Sequence, residues 1–418
     1  MLNGKSHERT NKAYAGVEAC TTAASRLKRG GVRQGCTDRH TYRHTQSHTD
    51  THTDTSMVQL VDWDKVKALG SSSQDSAMKE VADLVDAALQ HDGLLMLENV
   101  LTPQDAALFI KHAELFFSQP KQIKGALGCV KNGGFIRGYL SFGSESGQPD
   151  RIFEPKEGFS YGYDWAEDKQ PHNKLQGPNK WPSSDAFQDA AAFREHMTRL
   201  FTTMTAVAEQ LVRLIGMALG KDEAEMREVC KGGDTISLLR VFHYHPAVAD
   251  KPECLGSSPH TDWGFLTVIL QDGVGGLQFK DRAGAWHDVP CIPGSLVINA
   301  GDFLQIMSGG RYQSPVHKVL CPKHSRTSFV LFYYPDYETP LNANLFKPVA
   351  ADYNTFFELD MPAPSPRSQQ DTQQQQGNKE GDEEKEEAEG KEKDEASGKA
   401  QMCFGDYICR KWEQVQAY

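Results

Sequence analysis

His260 and Asp262 stand two positions apart in SSPHTDWGFLTVILQD, residues 257–272, directly ahead of a run of strand formers. In an extended segment residues i and i+2 look the same way, so an imidazole and a carboxylate share one face. Burying an ionised carboxylate beside an imidazole is costly unless something charged lies between them. A metal ion is one such partner; a plain hydrogen-bonded His–Asp pair is the other reading. A second histidine, His317, follows 55 residues after Asp262 in the β-type stretch RYQSPVHKVL. Two histidines and one carboxylate carried on strands form a facial ligand set with up to three open positions. That set suits non-haem Fe(II) that binds oxygen. A zinc hydrolase site with three protein ligands is its nearest chemical rival. Arg326 and Ser328 lie two apart in the following strand, RTSFVLFYY. A guanidinium with an adjacent hydroxyl on one strand face is a fork for a carboxylate. Arg326 could instead be a surface salt-bridge residue, but the apolar run from Phe329 to Phe332 points to a buried strand, where an unpaired arginine is expensive.

These residues need a rigid carrier, and the second half of the chain supplies one. After Gly233, TISLLRVFHY, FLTVIL, GLQF, WHDV, SLVIN, VHKVL and RTSFVLFYY are short β-branched or aromatic runs separated by Gly, Pro and Asp. Strands at this spacing imply an antiparallel sandwich or barrel. Upstream, Phe193, Met197, Leu200, Met204, Val207, Leu211 and Leu214 alternate in steps of four and three, and Gly220 follows. That is one long helix with a single apolar stripe, suited to packing behind a sheet. Residues 73–91 read as an amphipathic helix ending before Gly93, then GLLMLENV as a strand. Thr102-Pro103 supplies an N-cap and first-turn proline for another helix that must stop before Pro120. Phe404, Tyr407, Ile408 and Trp412 share one helical face near the end of the chain.

Two tracts have little capacity to build a core. Residues 1–56 are polar, with His40, His44, His48 and His52 at a four-residue period inside Thr-rich repetition. A helical metal-binding face would need better helix formers than Thr and Asp, so a low-complexity tail or a targeting segment is expected. Glu8, Glu18 and Asp38 spoil the acid-poor signature of organellar transit peptides. Residues 363–400 are Gln-, Glu- and Lys-rich, and are expected to form an unfolded acidic insertion. Of the formal net charge of −11 over 418 residues, 1–56 contribute +4 and 379–399 contribute −5, leaving −10 on the rest. An acidic body gives no electrostatic reason to expect nucleic acid or an anionic membrane as partner. No stretch approaches the ~18 apolar residues of a membrane span. Nine scattered cysteines without a C-x-x-C pair read as reduced thiols and a cytoplasmic setting rather than a disulfide framework.

The pattern H-x-D, distant H, then R-x-S resembles that of the 2-oxoglutarate/Fe(II)-dependent dioxygenases. The surrounding text, GVGGLQFKDRAGAWHDVPCIPGSLVINAGDFLQIMSGGRYQSPVHKV over 273–319, is similar to the isopenicillin N synthase-like branch. HDGLLMLENVLT, FFSQPKQIKGAL and GPNKWP resemble that branch's N-terminal region, so the resemblance covers about 57–362 and 401–418. It implies a mainly β fold with packed helices: a double-stranded β-helix (jelly-roll) core at 233–362, an α/β N-terminal region with the backing helix at 57–232, and a closing helix at 401–418. It further implies Fe(II) on His260, Asp262 and His317, 2-oxoglutarate held at its far carboxylate by Arg326 and Ser328, and O2 as oxidant. The product set would be succinate, CO2 and a hydroxylated or desaturated small molecule, made by a monomer. In RVFHYHP, where the family places a tyrosine, His243, Tyr244 and His245 compete, and Tyr244 is taken as the co-substrate contact. Phe265, Phe332 and Tyr334 are candidate pocket walls. R-x-S also occurs in oxidases of the isopenicillin N synthase type that use no 2-oxoglutarate, and a non-catalytic binding module on the same fold is the third reading.

Overall fold

A computed structural model describes residues 58–68, 75–129, 136–145, 152–166, 169, 171–230, 235–247, 254–341 and 402–416. The expectations for 1–56 and 363–400 lie outside these residues. Strands are β1 (Gln59–Asp62), β2 (Leu94–Glu98), β3 (Gly138–Leu140), β4 (Lys156–Gly162), β5 (Leu238–Tyr244), β6 (Leu255–His260), β7 (Leu266–Gln271), β8 (Leu277–Lys280), β9 (Trp286–Asp288), β10 (Leu296–Ala300), β11 (His317–Leu320) and β12 (Arg326–Tyr333). They form an eight-stranded sheet, β1-β2-β10-β7-β12-β5-β4-β3, and a four-stranded sheet, β6-β11-β8-β9. This is the expected jelly-roll core. β1 to β4 from the N-terminal part extend the larger sheet at both ends.

Helices are α1 (Trp63–Ala68), α2 (Asp75–His91), α3 (Pro103–Phe117), α4 (Lys121–Gly125), α5 (Ala190–Ala218), α6 (Glu223–Val229), α7 (Asp302–Met307) and α8 (Phe404–Gln416). The four–three stripe winds as anticipated into α5, which packs on α2, α3 and α6 and touches β7 and β12 from behind. Thr102 caps α3, its hydroxyl accepting from the Asp105 amide at 3.1 Å, with Pro103 in the first turn. Phe193 of α5 is fully buried, stacked on Phe116 at 4.8 Å between ring centroids and edge-on to Phe159 at 5.3 Å. This aromatic knot joins α3, α5 and β4, and so fixes the backing helices to the sheet that carries one wall of the cavity.

Some elements lie where the residues carry no strand signal. β6, LGSSPH, is built from residues with poor strand propensity, and among the described residues its neighbour in the smaller sheet is β11. β3 and β4 cross a stretch that shows no clean alternation.

Phe193→Ala should cost ~3–5 kcal/mol of unfolding free energy, because it empties a close-packed aromatic site that cannot collapse. Urea denaturation measures this; a loss below ~1 kcal/mol would contradict the role given to the knot.

Candidate functional site

His260 ends β6 and His317 begins β11, and the two are paired directly across the antiparallel ladder. Their ring centroids are 4.3 Å apart. Asp262 reaches them from outside the ladder, with Oδ1 at 3.7 Å from His260 Nε2 and Oδ2 at 3.6 Å from His317 Nε2. One possible ligand atom from each residue lies within 4.8 Å of the others. The i, i+2 strand argument does not describe how Asp262 gets there. The strand stops at His260, and Asp262 sits in the turn between β6 and β7. That turn is fastened by the start of α7: the amides of Gly301, Asp302 and Phe303 donate to the carbonyls of Phe265, Asp262 and Gly264 at 3.0, 2.7 and 3.1 Å. Only glycine fits at 301, since a Cβ there would fall 2.1 Å from the Gly264 carbonyl oxygen.

The outer atoms of the three side chains are also committed. His260 Nδ1 lies 2.7 Å from the Ser258 carbonyl, and His317 Nδ1 lies 3.1 Å from the Pro315 carbonyl. A carbonyl can only accept, so each Nδ1 carries the proton and each Nε2 presents its lone pair inward. Asn299 Nδ2 donates to Asp262 Oδ2 at 2.9 Å. His260 is open to the cavity yet walled by protein; burial first, and then His317, pushes its pKa down to about 4. Burial would raise Asp262, but the two histidines outweigh it and hold the carboxyl below its usual range. A neutral imidazole and an ionised carboxylate are the forms that bind a metal ion.

Arg326 and Ser328 both lie on the cavity face of β12 and are 1% exposed. Arg326 Nη2 donates to Gln271 Oε1 at 3.2 Å, whereas Nε and Nη1 have no hydrogen-bond partner among the described residues. A fully buried guanidinium with two unused donors fits a carboxylate from outside the protein. Strand alternation sends the three candidates in RVFHYHP to different surroundings. Tyr244 faces the cavity with Arg240 and Phe242, its ring 4.9 Å from the Arg326 guanidinium. His243 turns away to stack on Phe117 at 5.1 Å, and His245 pairs with Glu157 at 3.0 Å.

The cavity has a volume of about 190 Å³. Phe242, Tyr244, Trp263, Phe332, Tyr334 and Trp412 give it aromatic walls. Phe265, expected among them, is instead core, fully buried against Phe303 at 6.3 Å. Two ion pairs unread from the sequence reach the same space. Arg240 holds Glu145 through two bonds of 3.0 Å, and Lys156 pairs with Glu154, which also accepts from the Ser258 amide at 2.8 Å. Charged residues inside otherwise apolar strands, and Asn299 in SLVIN, were the available signals.

Sequence profiles agree with this picture. One described as the 2OG-Fe(II) oxygenase superfamily matches residues 235–335. One described as the N-terminal region of the non-haem dioxygenase in morphine synthesis matches 58–184. A 2-oxoglutarate-dependent dioxygenase from Didymella fabae is 32% identical, over 62% of this chain and 80% of that protein. Clavatol oxidase from Penicillium crustosum is 31% identical with the same two coverages. Among solved structures, Neurospora crassa T7H in complex with alpha-KG superposes with a TM-score of 0.60 at 26% identity, covering 71% of this chain and 90% of that one. A further T7H structure, with alpha-KG and thymine, gives the same TM-score.

His260, which lines the cavity, and His243 make the metal-free chain sensitive to acid. His260 and His243 are each held down to about 4, His243 chiefly by burial, so between pH 4 and 6.5 the unfolded chain binds more protons than the folded one. Stability should therefore rise with pH across that window and level off above it. Asp302, raised to about 6 by burial, opposes this in part. Melting curves in chelator between pH 4.5 and 7.5 test it, and His243→Gln should flatten the slope. A melting temperature that falls as pH rises through this range would contradict the assignment.

Proposed function

The chain belongs to the 2-oxoglutarate/Fe(II) oxygenase superfamily, and from this premise we propose that His260, Asp262 and His317 hold the iron while Arg326 and Ser328 hold the far carboxylate of 2-oxoglutarate. The observation that carries the reading is one cavity containing both a convergent His–Asp–His set and a buried guanidinium with two unpartnered nitrogens. The reaction is the oxidation of a small organic molecule, with 2-oxoglutarate and O2 consumed and succinate and CO2 released. Iron(II), when bound, supplies a centre at which O2 can be reduced at the expense of the 2-oxo acid.

The chain's own residues do the positioning. The two Nε2 atoms and the Asp262 carboxylate offer three donors on one side, leaving the cavity side for exchangeable ligands. Asn299 and the start of α7 keep the carboxylate aimed inward. Arg326, backed by the Tyr244 ring and braced by Gln271, offers a planar two-point contact that a lysine cannot reproduce. The aromatic walls keep water from a strongly oxidising centre, which limits side reactions. They also suit a small, flat substrate; the thymine complex of T7H is a relative with such a ligand.

Replacing His260, Asp262 or His317 with Ala should abolish turnover and weaken Fe(II) binding, because two protein ligands hold an exchangeable metal poorly. Near-normal activity in any of the three variants would remove that residue from the site. Arg326→Lys should raise the apparent KM for 2-oxoglutarate about tenfold or more, through loss of ~1.5–3 kcal/mol of charged hydrogen bonding, with a much smaller effect on the organic substrate. Steady-state kinetics with both compounds varied decides this. Product formation and oxygen uptake without any 2-oxoglutarate would favour an oxidase and overturn the co-substrate assignment.

A further inference from the structure

The strand that carries His260 pairs on one side with β11 and is met on the other by Phe153 and Glu154. β6 is an edge strand of the four-stranded sheet, and its ladder to β11 is irregular, with register shifts between His317 and Val319 and between Val319 and Leu320. The ladder ends with Leu255 opposite Leu320. One step further out, Cys254 and Cys321 face one another with their sulfurs 3.2 Å apart. Both are half-buried, so small reagents can reach them. Residues directly opposed in an antiparallel ladder have Cα atoms about 4.5–5.5 Å apart, which lies inside the ~4.4–6.8 Å window of disulfides. Closing the sulfurs to bonding distance requires a movement of only ~1 Å.

We propose that Cys254 and Cys321 form a reversible cross-strand disulfide that ties β6 to β11 at the end of the ladder opposite His260 and His317. The sequence alone suggests only scattered thiols, because 66 residues separate the two. The fold brings them together, and the loop they would close contains all three proposed iron ligands.

A low-molecular-weight disulfide such as glutathione disulfide is a sufficient oxidant. The Cys254 sulfur, as thiolate, attacks one glutathione sulfur; a protein–glutathione bond forms, the glutathione S–S bond breaks, and one glutathione leaves. The Cys321 sulfur then attacks Cys254 Sγ, forming the internal bond and releasing the second glutathione. Two electrons pass from the cysteine pair to glutathione, and the two thiol protons go to the departing thiolates. Burial and the Cys254 sulfur push the Cys321 thiol up to about 12, which makes it the poorer first nucleophile, so Cys321 enters in the second step, where proximity favours the attack.

The bridge would act as a staple. It fixes the spacing of the two strands on which the histidines sit and leaves the histidine side chains untouched. Its existence does not rest on the proposed iron chemistry; its effect on metal retention does.

The test equilibrates the full-length chain with glutathione disulfide, alkylates the remaining thiols and maps tryptic peptides without reduction. The expected result is the peptide 319–323 joined to the peptide containing Cys254, two hydrogens lighter than their sum. The cross-link should vanish with dithiothreitol and be absent in Cys254→Ser and Cys321→Ser. Recovery of both cysteines alkylated, or of separate glutathione adducts, would overturn the proposal. As a second readout, a chelator should strip Fe(II) severalfold more slowly from the oxidised wild-type chain than from the reduced one, with no such difference in Cys321→Ser. Equal rates in a chain shown to be bridged would overturn the link to the site, whereas failure to bind Fe(II) at all would count against the iron reading and not against the bridge.

Discussion

The structure depends on keeping two opposite charges buried in one cavity without letting them neutralise each other. Asp262 and Arg326 are both almost fully buried, yet Asp262 is committed to Asn299 and the two histidines, and Arg326 to Gln271 and the face of Tyr244. An uncompensated buried charge costs several kcal/mol, so on the proposed reading each is completed by a bound group. A dication beside Asp262 and a carboxylate beside Arg326 meet that requirement. The larger sheet helps to hold the charges apart, because Asp262 is tied to the β10–α7 corner and Arg326 stands on β12, with β7 between β10 and β12.

The same constraint explains where the fold spends its glycines and backbone hydrogen bonds near the site. Gly301 and Gly264 come into contact so that three successive amides at the start of α7 can grip the turn that carries Asp262. Further out, Glu154 links the Ser258 amide to Lys156, and the Ser258 carbonyl orients His260. One residue of β6 thus connects a buried ion pair in the larger sheet's vicinity to the imidazole in the smaller one. A substitution at Glu154 would act on the histidine through this relay rather than by direct contact.

Much of this was legible in the residues themselves. Polar side chains at i and i+2 in the otherwise apolar β12 gave Arg326 and Ser328 their shared face, and the four–three stripe gave α5 its full extent. What escaped was structure made by pairing rather than by local preference. LGSSPH becomes a strand because β11 lies beside it, and Asp262 meets the histidines through a turn held by a distant helix start. Phe265 looked like a cavity wall because aromatic residues of either role occur in such strands; its position one residue before β7 turns it into the core. Cys254 and Cys321 show the same limit, since only tertiary structure makes neighbours of two distant thiols.

The most direct measurement of the central claim is anaerobic calorimetry of 2-oxoglutarate binding to the full-length chain, with and without Fe(II). If one cavity holds both the metal and the carboxylate fork, 2-oxoglutarate binds one per chain, tightly only when Fe(II) is present, and that metal dependence disappears in the His317→Ala chain. Binding of equal strength with and without Fe(II), or an unchanged metal dependence in that variant, would contradict the account.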